Sequence, residues 1–449
     1  MSATDSQARP TRRSAFFAVL QRIGRSLMLP IAVLPAAAIL LRLGQADLLG
    51  ADGLGWERVA EVVGAAGGTL FDNLPLLFAV GVAVGFARKS DGSTALAAVV
   101  GYLVFANVLR TFGDLALVDP ACTGEACAME RVAPNTGVLG GIVMGLTTAM
   151  LYQRYYRVKL VPWLAFFGGR RFVPIVTALA GLAWGIVFGL VWPPLGEALG
   201  SFADWLYGLG PVGAGLFGVA NRALIPVGMH HFLNSFLWFQ AGECTNAAGT
   251  VFNGDLSCFF NAEDRAPNVG IFMTGFFPIM MFALPAAALA MVHEARDARR
   301  QATAGILVSA ALTSFVTGVT EPIEFAFLFV APLLFVAHAL LTGLSMALTA
   351  ALGIRDGFGF SAGLIDYVLN FGIAERPLLI LPIGAAYAVV YYVLFRVLIR
   401  RFDLMTPGRE PDDDSPADAV VAPPRSEDAS TGAATTEGST QREGSARSS

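Results

Sequence analysis

The residues best placed to do chemistry in this sequence are Glu321 and Glu324, two carboxylates within residues 306–352, a stretch otherwise free of Asp, Glu, Lys and Arg. A charged acidic side chain at the centre of a membrane helix costs roughly 2.5–3.5 kcal/mol on insertion scales, so both must face protein, water or a ligand. The local sequence is Thr317-Gly318-Val319-Thr320-Glu321-Pro322-Ile323-Glu324-Phe325. Gly318 and Pro322 both weaken a continuous helix, and Pro322 has no N–H to donate, so a break is predicted here. Non-helical backbone at membrane depth persists only where it is buried in protein or lines a cavity. Pro322 suits the first turn of a helix running onward, which leaves Glu321 near the N-cap as the ligand-facing carboxylate and Glu324 as the structural one. The competing reading is that both simply suit the positive end of a helix entering from water.

A second polar cluster is Asn221-Arg222-Ala223-Leu224-Ile225-Pro226-Val227-Gly228-Met229-His230-His231. Arg222 and His230 are eight apart with Pro226 and Gly228 between them, so a bent segment can turn both toward one cavity without helical spacing. Guanidinium and imidazole donors beside carboxylates suit sugar hydroxyls, which donate and accept at once. For His230 and His231 the alternative is a packed hydrogen bond between helices.

These clusters need membrane elements to hold them. The chain has 449 residues, 55% hydrophobic and 14% charged, against about 25% charged in soluble domains. Its mean hydropathy is +0.61. The composition is that of a polytopic, all-α membrane protein. Arg9, Arg12, Arg13, Arg22 and Arg25 precede the first apolar run, residues 27–41, which predicts a cytoplasmic N-terminus. Residues 14–26 read as an amphipathic helix on the inner surface, and residues 1–13 as a polar arm without a cleavable signal peptide. Further spans are predicted at 59–87, 94–112, 136–153, 173–195, two within 202–240, 270–292, about two plus a re-entrant hairpin holding Glu321 between 306 and 392, and a last at 378–399. The total is about ten. The polar break Asp72-Asn73-Leu74-Pro75 either lines a solute path or is a simple proline kink.

Loops 113–135 and 241–268 each carry one Arg, whereas Arg154, Arg157, Lys159, Arg170 and Arg171 crowd the loop between them; the first two are predicted outside and the third inside. Cys122 and Cys127 share the first outer loop, and Cys244 and Cys258 share the second. Local pairing suits an oxidising exterior; four free thiols are the alternative, and neither loop has a His for a zinc site. Residues 14–407 form the membrane domain. Residues 408–449 hold nine acidic and four basic residues and few large apolar groups, so a disordered cytoplasmic tail is expected. The membrane body is close to neutral, and no nucleic-acid partner is expected.

Residues 221–231, residues 239–252 with the run Gly-Glu-Cys-Thr-Asn-Ala-Ala-Gly-Thr-Val-Phe, residues 275–281, the Gly-Val-Thr-Glu-Pro core and residues 359–367 resemble the enzyme IIC domain of bacterial phosphotransferase sugar transporters. Within the glucose superfamily they resemble the N-acetylglucosamine permeases, over roughly residues 16–410. Cys258 and the acidic insert 261–265 fall outside that pattern. The resemblance implies a homodimer in the cytoplasmic membrane, with scaffold and transport domains and an elevator-like shift. It implies a sugar, N-acetylglucosamine or glucose, held at its C6 hydroxyl by Glu321 and His230, with Arg222, Thr320, Asn221, His231 and Glu324 around it. No cofactor or metal is implied.

The phosphoryl donor implied is a cysteine of enzyme IIB, fed by IIA, HPr and enzyme I. Relatives that carry a fused IIB show a Cys followed by Thr-Arg-Leu-Arg; no Cys follows Cys258 here, so separate IIB and IIA proteins are expected and the chain has no phosphorylatable residue of its own. Two other classes compete: an ion-coupled secondary transporter with Glu321 carrying the proton, and a sugar receptor without net transport. Their product is free sugar or none, rather than sugar 6-phosphate.

Truncation after Pro411 is expected to leave sugar phosphorylation by added enzyme IIB nearly unchanged. Loss of phosphorylation in a truncated protein that still inserts normally contradicts the assignment of the tail.

Overall fold

The structure, a computed structural model, describes residues 26, 30, 33–117, 129–245, 251–261 and 269–409. The predicted surface helix at 14–26, apart from Ser26, and the cysteines Cys122 and Cys127 lie outside the described residues, as does the tail from Glu410 onward. Within them the chain is mostly helical. In order the helices are α1 (Leu34–Leu43), α2 (Glu57–Asp72), α3 (Leu74–Phe86), α4 (Gly92–Arg110), α5 (Gly137–Tyr155), α6 (Phe172–Gly208), α7 (Pro211–Ala223), α8 (His230–Phe239), α9 (Asp255–Asn261) and α10 (Leu284–Glu294). There follow α11 (Asp297–Thr317), α12 (Glu321–Leu328), α13 (Pro332–Ala351), α14 (Leu364–Asn370) and α15 (Ile380–Arg401). Among the described residues β1 (Leu115–Leu117) pairs antiparallel with β2 (Met129–Arg131), and β3 (Glu243–Thr245) with β4 (Val251–Asn253).

Four helical stretches among the described residues are long and apolar enough to cross a membrane: Gly92–Arg110, Gly169–Gly208, Pro332–Ala351 and Pro377–Arg401. The pair α2 and α3, bent by 56°, makes a fifth if it is one broken span. The bend falls at the predicted 72–75 break. Residues 202–240 differ from the two spans expected of them. Instead α6 runs on for 37 residues, through Pro193 and Pro194, and ends at Gly208. At 1.5 Å per residue it is about 55 Å long, well beyond a hydrocarbon core of about 30 Å. By contrast α7 and α8, with 13 and 10 residues, reach only about 20 and 15 Å. Apolar length alone therefore overcounts full spans in this segment, because short helices meeting at a polar break read like long ones.

Small residues allow the close helix packing that membrane proteins use where water offers little drive. A Cβ on Gly181 of α6 would lie 2.4 Å from the Gly101 carbonyl oxygen of α4. One on Gly218 of α7 would lie 3.0 Å from the Gly343 Cα of α13, so these two helices touch backbone to backbone. One core, rich in Phe259, Phe272, Phe276, Phe277 and Phe358, fills the space around the irregular segments before α10 and after α13. A second packs α10, α12, α13 and α15 together through Ile323, Phe327, Leu334, Tyr391 and Phe395. The chain enters α10 through a π-helical turn, Pro278–Ala283. Such wider turns gather at functional sites.

Cys244 of β3 is disulfide-bonded to Cys258 of α9, 14 residues on, as the sequence predicts. In a background lacking Cys122 and Cys127, both cysteines are expected to resist a maleimide until reductant is added, and reduction should lower stability by about 3 kcal/mol, the loop-entropy value for about 15 residues. Ready labelling without reductant contradicts the pairing.

Candidate functional site

The backbone breaks where the two carboxylates sit. Helix α11 ends at Gly318, whose φ of +74° is a left-handed conformation that only glycine adopts without strain. A Cβ there would also meet Ser361 Oγ at 2.6 Å. That hydroxyl donates to the Gly318 carbonyl at 2.8 Å, latching the loop 359–363 onto the break. Thr320 is the N-cap of α12, Glu321 its first residue and Pro322 its second, and Glu324 N–H donates back to the Thr320 carbonyl at 3.0 Å. The second cluster breaks likewise. After α7, a 3-10 turn Ile225–Val227 and a left-handed Gly228 (φ +71°) redirect the chain into α8, so Arg222 closes one helix and His230 opens the next.

Both breaks line one cavity of about 250 Å³. Asn221, Arg222, His230, His231, Thr320, Glu321 and Glu324 are all among its lining residues. The volume lies just under the roughly 300–1,000 Å³ of sites for drug-sized ligands, and fits one small polar solute.

The two carboxylates differ in their surroundings. Glu324 is fully buried, and its Oε1 accepts from Arg222 Nη1 at 2.6 Å. His338 Nε2 lies 3.2 Å from the same oxygen, and His338 Nδ1 lies 3.0 Å from the Tyr391 hydroxyl. The Arg222 guanidinium sits 4.8 Å over the Phe276 ring, and Asn221 donates to Asn234. Taking a charge out of water costs several kcal/mol per ion, which only close pairing and further hydrogen bonds offset. Glu321, by contrast, is only partly buried and lines the same cavity.

Among the described residues, three buried polar atoms on lining residues have no hydrogen-bond partner: Glu324 Oε2, Arg222 Nε and His230 Nδ1. An unsatisfied buried polar group costs about 1–3 kcal/mol, and an acceptor, a donor and an imidazole nitrogen are left unpaired on residues that surround one cavity. His230, His231 and Glu321 also bring potential metal-ligating atoms within 4.8 Å of one another.

Sequence reasoning missed several lining residues. Asn234, Ser235 and Trp238 follow His231 at helical spacing (i+3, i+4, i+7), a signal that could have found them. Trp238 is held by its indole N–H, which donates to the Phe272 carbonyl at 3.3 Å. Phe239, Phe276, Met280, Phe360 and Ser361 also line the cavity. They fall within the stretches already singled out, but carry no chemistry that marks them individually. His338 was missed because a single His in an apolar helix reads as packing. At the 72–75 break, Asp72 and Asn73 are not lining residues; Phe78, one turn on, is.

Comparison with known proteins agrees with this architecture. Residues 24–343 match the family described as phosphotransferase system, EIIC. The chain is 56% identical over 414 residues to the N-acetylglucosamine-specific EIIC component of Streptomyces coelicolor, covering 92% of this chain and 98% of that protein. It is 48% identical to the N-acetylglucosamine-specific EIICB component of Bacillus subtilis, covering 88% of this chain and 79% of the relative. With the N-acetylglucosamine-specific EIICBA component of Escherichia coli it shares 47% identity over 88% of this chain and 57% of the longer protein. The fold is similar to the crystal structure of the IIC component of an N,N'-diacetylchitobiose-specific phosphotransferase system, with a TM-score of 0.54 at 14% identity over 85% of this chain and 94% of that one.

The Arg222–Glu324 pair generates a stability prediction. Glu324→Leu alone strands a buried guanidinium and is expected to destabilise the detergent-solubilised protein by about 3–5 kcal/mol, whereas Arg222→Met with Glu324→Leu should recover most of that loss. Thermal unfolding measures both; a single variant as stable as the parent contradicts the structural role of the pair.

Proposed function

Because this chain belongs to the EIIC family of the phosphotransferase system, we propose that it is an N-acetylglucosamine permease that imports the sugar and presents its C6 hydroxyl to a phosphocysteine of a separate enzyme IIB. The observation that carries this reading is the convergence of Arg222, His230 and Glu321, from two separate helix breaks, on one sugar-sized cavity of about 250 Å³. The relatives named for N-acetylglucosamine, at 47–56% identity over most of the chain, support the choice of sugar.

In this reading Glu321 accepts the hydrogen bond of the C6 hydroxyl and raises the nucleophilicity of its oxygen. The new O–P bond forms as the P–S bond of the phosphocysteine breaks, the hydroxyl proton passes to Glu321, and a thiolate returns to IIB. His230 steadies the arriving negative charge. Glu324 stays on Arg222 and fixes its guanidinium, while Thr320, Asn221 and His231 complete the polar lining and Trp238 offers an apolar ring to the sugar face. The chain holds no phosphorylated residue of its own and depends on IIB, with IIA, HPr and enzyme I upstream. It works as a homodimer of scaffold and transport domains in the cytoplasmic membrane. About ten spans, short and broken helices included, leave both termini in the cytoplasm, with residues 408–449 as a tail.

Glu321→Gln keeps the shape of the side chain but removes the anionic acceptor. Hydrogen bonds to charged groups contribute roughly 1.5–3 kcal/mol, so sugar binding by the purified protein should weaken roughly 10- to 100-fold, with a larger fall in phosphorylation by added IIB. His230→Ala should impair both. Wild-type binding and transfer in Glu321→Gln, or full loss in Glu324→Gln with none in Glu321→Gln, means the wrong carboxylate has been chosen.

A further inference from the structure

We propose that His230, His231 and Glu321 form a binding site for a divalent transition metal, with Zn²⁺ as the ion that fits best. One potential ligand atom from each residue lies within 4.8 Å of the other two. The histidines are consecutive at the start of α8, with ring centroids 3.9 Å apart, and Glu321 opens α12 on the same cavity. Zinc binds imidazole nitrogen at roughly 2.0–2.1 Å and carboxylate oxygen at 2.0–2.2 Å, which sets tetrahedral donors about 3.4 Å apart. Two His and one Glu, with the fourth position left to water, is a donor set zinc uses elsewhere.

Two further observations point to a cation here. Nδ1 of His230, a residue 9% exposed, has no hydrogen-bond partner among the described residues, and a neutral imidazole keeps one nitrogen lone pair for a metal. The other described histidines differ: His338 has both ring nitrogens engaged, by Tyr391 and Glu324, and His293 Nδ1 lies 2.8 Å from the Tyr392 hydroxyl. Charge agrees as well. Arg222 is the one Lys or Arg among the lining residues and forms its ion pair with Glu324 at 2.6 Å, so its charge is largely offset there and no ion pair to Glu321 is made among the described residues. Nitrogen donors favour Zn²⁺, Cu²⁺ or Ni²⁺ over Mg²⁺ and Ca²⁺, which prefer all-oxygen cages.

An ion held here ties up His230 and Glu321, so zinc and sugar exclude each other; that consequence, unlike the site itself, rests on the proposed function. The test is calorimetric titration of Zn²⁺ into tag-free, chelator-treated protein in detergent. One Zn²⁺ per chain is expected, with no binding of Mg²⁺, and His230→Ala, His231→Ala and Glu321→Gln should each weaken zinc binding at least tenfold. Co²⁺ added to the parent protein should give the intense visible absorption of a tetrahedral site, a readout that does not depend on the variants folding. No stoichiometric binding, binding undiminished in all three folded variants, or a weak octahedral Co²⁺ spectrum overturns the site. Repeating the titration with saturating N-acetylglucosamine separates the two readings: weaker zinc binding supports both, and unchanged zinc binding leaves the metal site standing and counts against the sugar placement alone.

Discussion

The buried charge of Glu324 is the constraint around which the centre of this molecule is arranged. A carboxylate with no exposed surface needs a counter-charge at contact distance, and Arg222 supplies it at 2.6 Å, with His338 behind at 3.2 Å and Tyr391 behind that. The four groups come from α7, α12, α13 and α15, so satisfying one ion fixes four helices against one another. Glycine makes the approach possible, since Gly218 and Gly343 let α7 and α13 meet at the backbone. Once Arg222 is committed at the end of α7, the turn at Ile225–Val227 and Gly228 delivers His230 beside it.

That arrangement separates the tasks of two carboxylates three residues apart. Glu324 is fully buried and paired through Oε1 with Arg222, whereas Glu321, at the first position of α12, is only partly buried. The N-terminal position also suits a carboxylate, because the unpaired N–H groups of the first turn favour negative charge there. The loop 359–363 braces the break by the hydrogen bond from Ser361 to Gly318. Two motifs about forty residues apart in sequence therefore meet at one bend, and in the proposed reading that bend holds the reacting end of the sugar.

The centre of the site was legible in the sequence because its signals are violations of membrane rules: charge within an apolar run, and Gly and Pro beside the charge. Gly318, Pro322, Pro226 and Gly228 break helices where their backbone chemistry says they must. The rest was less legible for physical reasons. His338 sits in an intact apolar helix, where one polar residue does not distinguish ligand from packing. Asn234, Ser235 and Trp238 lie on one face of α8, but a helix of ten residues offers too short a window for periodicity to stand out. The course of residues 202–240 was misjudged because hydropathy measures apolar length, and neither the long reach of α6 nor the short α7 and α8 obeys the length of a single crossing.

The central claim, that pairing Glu324 with Arg222 leaves Glu321 and His230 to hold the sugar, is tested most directly by a structure of the protein with N-acetylglucosamine bound. The account predicts the C6 hydroxyl within hydrogen-bonding distance of Glu321 and His230, with Arg222 still on Glu324. A sugar bound with its C6 hydroxyl away from Glu321, or an Arg222 that leaves Glu324 for the sugar, contradicts it.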